Sequence, residues 1–186
     1  AYTGILGGIT ADLSAADQVV TMDGTTNSAV QSGFESIDLR AYASFGSVVT
    51  GSDAANTITG TALADRINAG KGNDIIQVAL TDDADTDQIN GGAGTDTFTI
   101  LAGNYTPAAD SNLVAVETVT SAVTSTIDLS SQTDGFTITG GANVQTITGS
   151  TGVDTISGGA GNDIIVISNT AANNGLDLFA DFAAGD

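Results

Sequence analysis

Six aspartates, Asp65, Asp74, Asp87, Asp96, Asp154 and Asp163, each stand two residues before an isoleucine or a phenylalanine. Three of them also close a Gly-X-Gly-X run, with Gly70 and Gly72 before Asp74, Gly92 and Gly94 before Asp96, and Gly159 and Gly161 before Asp163. Short carboxylates beside a glycine-rich backbone suit a hard cation. Calcium takes about six to eight oxygens, drawn from carboxylates and main-chain carbonyls. Glycine reaches positive φ without a Cβ clash, so its neighbouring carbonyls can turn toward an ion. The chemistry these twelve residues suggest is therefore coordination of Ca²⁺.

The composition points the same way. Twenty-two acids oppose three bases, for a net charge of −19, and only Glu35 and Glu117 are glutamates, leaving 22 − 2 = 20 aspartates. A disordered acidic tail would be poor in Ile and Val, but 41% of this chain is hydrophobic. A surface this acidic repels phosphates, so nucleic acid is excluded as a partner. No apolar run approaches the roughly 18 residues of a membrane span, so no membrane insertion is expected. Histidine and cysteine are absent, which removes disulfides and most nucleophilic chemistry. The pairs Glu35–Asp38 and Glu117–Asp128 suggest a glycosidase-type carboxylate pair. In a period-two strand, however, Glu35 and Asp38 point to opposite faces. No enzyme activity is expected, and Arg40, Arg66 and Lys71 are expected to offset nearby carboxylates. The opening AYTG, without an initiator Met, reads as part of something longer.

What must position the aspartates is a repeat. Written in nines, the chain gives GSDAANTIT (51–59), GTALADRIN (60–68), AGKGNDIIQ (69–77), DDADTDQIN (82–90), GGAGTDTFT (91–99), GGANVQTIT (140–148), GSTGVDTIS (149–157) and GGAGNDIIV (158–166). The acid is sixth and the large apolar residue eighth. Residues 51–78 align with 140–167 at a constant offset of 140 − 51 = 89. The first six positions bend, and the last three, rich in Thr, Ile and Val, extend. The eighth side chain then points inward and its neighbours outward. Two nonads make one coil, and coils stack as parallel strands about 4.7–4.9 Å apart with right-handed crossovers. The expected fold is all-β, a right-handed parallel β-roll or β-helix with Gly-Asp turns along two flanks. The sixth-position acids of every second nonad then stack, and the column repels itself unless cations intervene.

The turns are not equal. Asn56 and Gln145 replace the sixth-position acid, and Ala54, Leu63 and Asn143 replace the fourth-position glycine, so those turns are expected to bind calcium weakly or not at all. The best sites are expected at Asp74, Asp96 and Asp163. Asp65 and Asp154 face the flank opposite their neighbours and need partners from elsewhere, which for Asp65 means the acidic loop TDDADTD (81–87) with Asp87. Four stretches follow: lead-in β rungs (1–50), a first array (51–99), linking rungs (100–139) and a second array with a C-terminal capping segment (140–186). The sequon Asn104-Tyr105-Thr106, followed by Pro107, reads as a loop.

GGAGNDIIV, GGAGTDTFT and AGKGNDIIQ resemble the nonapeptide GGxGxDxUx of the RTX, or hemolysin-type calcium-binding repeat, family. The lead-in is similar to rungs that precede such arrays in large adhesins and surface-layer proteins. LDLFADFAAGD (176–186) is similar to the segment that follows one. The resemblance implies a β-roll stabilised by several Ca²⁺ ions, type I secretion, and an extracellular or cell-surface setting. Two roles follow from it. One is a structural module that folds on secretion and assembles with itself, or with neighbouring surface components, into a surface layer, filament or adhesin stalk. The other is the C-terminal calcium-dependent folding and secretion domain of a larger RTX enzyme or toxin.

Overall fold

The computed structural model describes residues 8–15, 19–22, 25–26, 33–42, 45–80, 86–167 and 176–181. Residues 81–85 of the acidic loop and 182–186 of the terminal segment lie outside the described residues.

Each nonad yields one short strand, and beyond the first three strands successive strands alternate between two flanks. The first flank holds β1 (Ile9–Asp12), β2 (Val19–Met22), β3 (Thr25–Thr26), β5 (Ser47–Thr50), β7 (Arg66–Asn68), β9 (Gln88–Asn90) and β11 (Leu113–Val114), in the order β11-β9-β7-β5-β1-β2-β3. The second is an eight-stranded ladder of β4 (Ser36–Asp38), β6 (Thr57–Thr59), β8 (Ile75–Ala79), β10 (Thr97–Ala102), β12 (Thr118–Ser121), β14 (Thr137–Thr139), β16 (Thr155–Ser157) and β18 (Leu178–Ala180). A three-stranded sheet, β13 (Ser125–Asp128), β15 (Gln145–Thr148) and β17 (Ile164–Val166), alternates with the second flank further along the chain. Apart from the β1-β2-β3 meander, every pairing among the described residues is parallel. The meander is antiparallel because residues 13–18 are too few for a crossover. The result is an all-β, right-handed parallel β-roll.

Register follows the repeat. Ile75 lies opposite Thr57 and Thr155 opposite Thr137, steps of 75 − 57 and 155 − 137, both 18 residues. Between β8 and β10 the step widens to 97 − 75 = 22, which accommodates residues 78–81 between two nonads. Eighth-position side chains stack in the core. Ile58, Ile76, Phe98, Val119, Ile138 and Ile156 line one wall, and Val49, Ile67, Ile89, Leu113, Ile127 and Ile147 line the other, all buried. Each such burial contributes about 1.5–3 kcal/mol relative to leaving the side chain exposed.

The stretch Asn104-Tyr105-Thr106 is a loop, as its sequence suggests, apart from one bridge residue, but Tyr105 is driven into the core. Tyr105 is 0% exposed, bridges to Ile127, and packs its ring 4.6 Å from that of Phe98. The Asn104 carboxamide oxygen accepts the Thr126 N–H at 2.8 Å. An aromatic ring that size gains more from burial than a polar turn does from water. The chain visits the first flank twice at this point, pairing Leu113 with Ile89 and Tyr105 with Ile127, and one sheet hands over to the next.

Candidate metal centre

The coil geometry puts the sixth position of each nonad directly before a strand, or for Gln145 at its first residue, where its side chain meets the coil below. On the second flank, Asp74 Oδ1 accepts the Asn56 N–H at 2.7 Å, and Asp96 Oδ1 accepts the Asp74 N–H at 2.8 Å. Glu117 Oε2 accepts the Asp96 N–H at 2.7 Å. Further along, Asp154 takes the Phe136 N–H at 2.8 Å and Asp177 takes the Asp154 N–H at 3.0 Å. On the first flank Asp65 takes the Ser47 N–H and Asp87 the Asp65 N–H, both at 2.7 Å. In the three-stranded sheet Asp163 takes the Gln145 N–H at 2.8 Å. One carboxylate oxygen per turn thus clips its coil to the one before, each a charge-assisted bond worth about 1.5–3 kcal/mol.

The second oxygen divides the turns into two kinds, and the second residue of the nonad decides which. Where that residue is Ser or Thr, its N–H returns to the sixth-position side chain. Thr61 donates to Asp65 Oδ2 at 2.8 Å, Ser150 to Asp154 Oδ2 at 2.7 Å, and Ser52 to Asn56 Oδ1 at 2.6 Å. The Thr61 and Ser150 hydroxyls add further bonds to Asp65 and Asp154. These turns are closed on themselves. Where the second residue is Gly70, Gly92 or Gly159, φ is +105°, +100° or +87°. Among the described residues, the buried Oδ2 atoms of Asp74, Asp96 and Asp163 then have no hydrogen-bond partner. These turns are open.

Open turns also stack without room for a side chain. A Cβ on Gly92 would lie 2.0 Å from the Gly70 carbonyl oxygen, and one on Gly94 only 1.6 Å from that of Gly72. Carbonyls of one turn therefore face the glycines of the next. Burial pushes the Asp74 and Asp96 carboxyls above the ordinary range, and the donated N–H only partly offsets it. The next acid in the column, Asp96 above Asp74 and Glu117 above Asp96, raises each further. Burial likewise raises Asp65, against the lowering effect of the Ser47 and Thr61 donors, and Asp154, against that of the Phe136 and Ser150 donors, with Asp177 raising Asp154 further.

A family model for the RTX calcium-binding nonapeptide repeat (4 copies) matches residues 50–83, 79–106 and 139–166. The chain carries RTX calcium-binding repeats. Neither a curated protein nor a solved structure matches it. RTX repeats in a β-solenoid fit a calcium-binding structural module, and chains with these repeats are typically exported by type I secretion. Among the described residues no helix is long and apolar enough to cross a membrane.

The open RTX turns fit the ion the family implies. Each offers a buried anionic oxygen without a donor, against a glycine backbone whose carbonyls keep a free lone pair. Among the described residues no group of three or more His, Cys, Asp or Glu converges. An ion here would thus draw many of its oxygens from the main chain, as calcium does.

The structure brings Asp74 and Asp96 together in one column, adjacent coil to adjacent coil. Asp65 and Asp87 stand together on the other flank, and Asp154 falls in the column of Asp74. Asp163, the 89-residue equivalent of Asp74, lies on the opposite flank. Nine strand steps (17 − 8) separate β8 from β17, an odd number of half-coils. Sequence reasoning missed Glu35, Glu117 and Asp177, which occupy the same column position. The signal was present, since each stands two residues before an apolar residue in the core, Val119, or packed against it, Ile37 and Phe179. The four carboxylates of the suspected pairs hold separate local bonds. Glu35 accepts from Ser52 and Asn56, and Asp38 pairs with Arg40 at 2.6 Å. Glu117 takes the Asp96 N–H, and Asp128 accepts the Ser130 N–H. Lys71 pairs with Asp53 at 2.6 Å, and Arg66 donates to the Gln88 carboxamide. Both ion pairs are exposed, so each contributes little.

Proposed function

We propose that this chain is an extracellular structural module that folds as calcium fills its open turns on secretion, and that it builds a surface layer, filament or adhesin stalk. The observation that carries this reading is the set of three unpartnered buried carboxylate oxygens at Asp74, Asp96 and Asp163. All three fall in the turns whose second and fourth residues are positive-φ glycines. Without a cation, those oxygens and the charge of −19 oppose compaction. With one, binding and folding become a single event. Asp65, Asp87 and Asp154 then hold coils together through hydrogen bonds, while Asp74, Asp96 and Asp163 ligate.

The structural role draws on the continuity of the eight-stranded ladder, which joins both arrays from Ser36 to Ala180 in one stack. A solenoid of this kind stacks its repeats in one dimension and presents strand edges for a further copy. The test is electron microscopy with size-exclusion chromatography of the chain before and after calcium. Ordered lattices or filaments in calcium support the structural module. A calcium-dependent gain of fold that stays monomeric favours the folding and secretion domain of a larger RTX enzyme or toxin instead.

A further inference from the structure

The turn formed by GGANVQTIT (140–148) lacks the sixth-position acid, yet it is not closed. Gln145 is 0% exposed, and its Oε1 has no hydrogen-bond partner among the described residues. Its Nε2 donates to the Val123 carbonyl at 2.9 Å, which fixes the amide so that Oε1 faces the turn. The Gln145 N–H donates to Asp163 Oδ1 at 2.8 Å, while Asp163 Oδ2, one coil on, is also buried and unpartnered. The two orphaned oxygens therefore belong to successive turns of one column.

Position supports the comparison with an acid. A Cβ built on Gly140 would lie 2.6 Å from Gln145 Oε1, and one on Gly91 lies 2.6 Å from Asp96 Oδ2. Gln145 thus places a neutral amide oxygen where the first array places a carboxylate oxygen. The carbonyls of Gly141 and Asn143 face Gly159 and Gly161, whose Cβ atoms would lie 2.3 and 2.9 Å from them. A longer side chain in the sixth position reaches the spot an aspartate would occupy. Two buried acceptors with no donor between them cost stability unless a cation or water intervenes.

We propose that Gln145 Oε1 and Asp163 Oδ2 form a calcium site of a second, weaker class, filled after the Asp74–Asp96 site. This rests on the calcium-binding reading above. Calcium takes amide oxygens as well as carboxylates as ligands, but affinity follows the charge count of the ligands. The Asp74–Asp96 turns carry two carboxylates with Glu117 as the next acid of the column, whereas the Gln145–Asp163 turn carries one. The first array therefore orders at lower calcium than the second.

Calorimetric titration of the whole chain with Ca²⁺ tests this. Two classes of site are expected. Gln145→Ala should weaken the weaker class at least about tenfold and leave the tighter class unchanged, while Gln145→Asp should tighten it about tenfold. An isotherm of Gln145→Ala that matches the unaltered chain in both classes overturns the proposal. Loss of both classes in the unaltered chain would instead sink the calcium reading as a whole. Should Gln145→Ala fail to fold, a structure of the unaltered chain with calcium decides. An ion about 2.3–2.6 Å from Gln145 Oε1 supports the site, and an ion held by Asp163 without Gln145 refutes it.

Discussion

Replacing Asp96 by asparagine separates the two duties of the open-turn carboxylate. The new carboxamide oxygen can still accept the Asp74 N–H, now in a neutral bond about 1 kcal/mol weaker. The substitution also removes a negative charge that sits one coil from Asp74 and one coil from Glu117. Two unit charges one strand spacing apart, about 4.8 Å, repel by about 3 kcal/mol at an effective dielectric near 20. In chelator, Asp96→Asn should therefore be more stable than the unaltered chain by at least about 1 kcal/mol, the repulsion relieved exceeding the weaker bond. In calcium the order reverses. A site lost at a free concentration about a hundredfold above its Kd removes about 2.7 kcal/mol. Equilibrium urea unfolding measures both halves, in calcium and in chelator with enough trimethylamine N-oxide to keep the unaltered chain folded. A variant destabilised by the same amount in both conditions would show that Asp96 is only a hydrogen-bond acceptor, and the ligand assignment would fall.

Asp65→Asn is the contrasting case: both oxygens already accept from Ser47 and Thr61, so the variant should lose about 1–3 kcal/mol equally with and without calcium. A loss confined to the calcium condition would return Asp65 to the ligand set. Gly92→Ala and Gly33→Ala both place a side chain at positive φ, but the new Cβ meets the Gly70 carbonyl oxygen at 2.0 Å in one and nothing within 4 Å in the other. Gly33→Ala should cost only the left-handed backbone, about 1–2 kcal/mol, and Gly92→Ala several times the drop in thermal midpoint; equal drops would mean the turns do not stack as described. The Asp65, Asp74, Asp96 and Asp154 carboxyls are raised in the folded state above the ordinary 3.8, so the folded chain binds more protons than the unfolded one between that value and the raised ones. Chelated protein should therefore gain stability as pH falls through that window and lose it as pH rises, whereas Asp38, lowered by Arg40, loses its contribution only below 3.8. Because calcium needs the ionised carboxylates, calcium-loaded protein should show the opposite slope, and thermal melts that fall with acidification in both conditions would contradict this.

Most of the fold was legible because one rule repeats. The eighth-position Ile or Phe had to be buried in any arrangement that hid it, and Ile58, Ile67, Ile76 and Phe98 are all buried. The lead-ins were less legible, since their spacing wanders. There the acid two residues before an apolar side chain, as in Glu35 and Glu117, was the signal that survived. The distinction between closed and open turns was present in the second residue of each nonad, Thr61 and Ser150 against Gly70, Gly92 and Gly159. It became readable only once the backbone showed which N–H returns to the acid. The placement of Asp163 opposite Asp74 depends on the parity of strand count across linking rungs of irregular length, which a nine-residue pattern does not encode. Tyr105 was hidden for a related reason, because a single aromatic in a Pro-containing stretch gives no periodicity.

The central claim is that cations complete the open turns and so complete the fold. Far-UV circular dichroism of the whole chain during a calcium titration tests it most directly. The account predicts a cooperative gain of β signal as calcium rises through about 10⁻⁴–10⁻³ M, reversed by chelator. The same β signal and the same unfolding midpoint with chelator as with saturating calcium would contradict it, leaving a β-roll held together by hydrogen bonds and its apolar core alone.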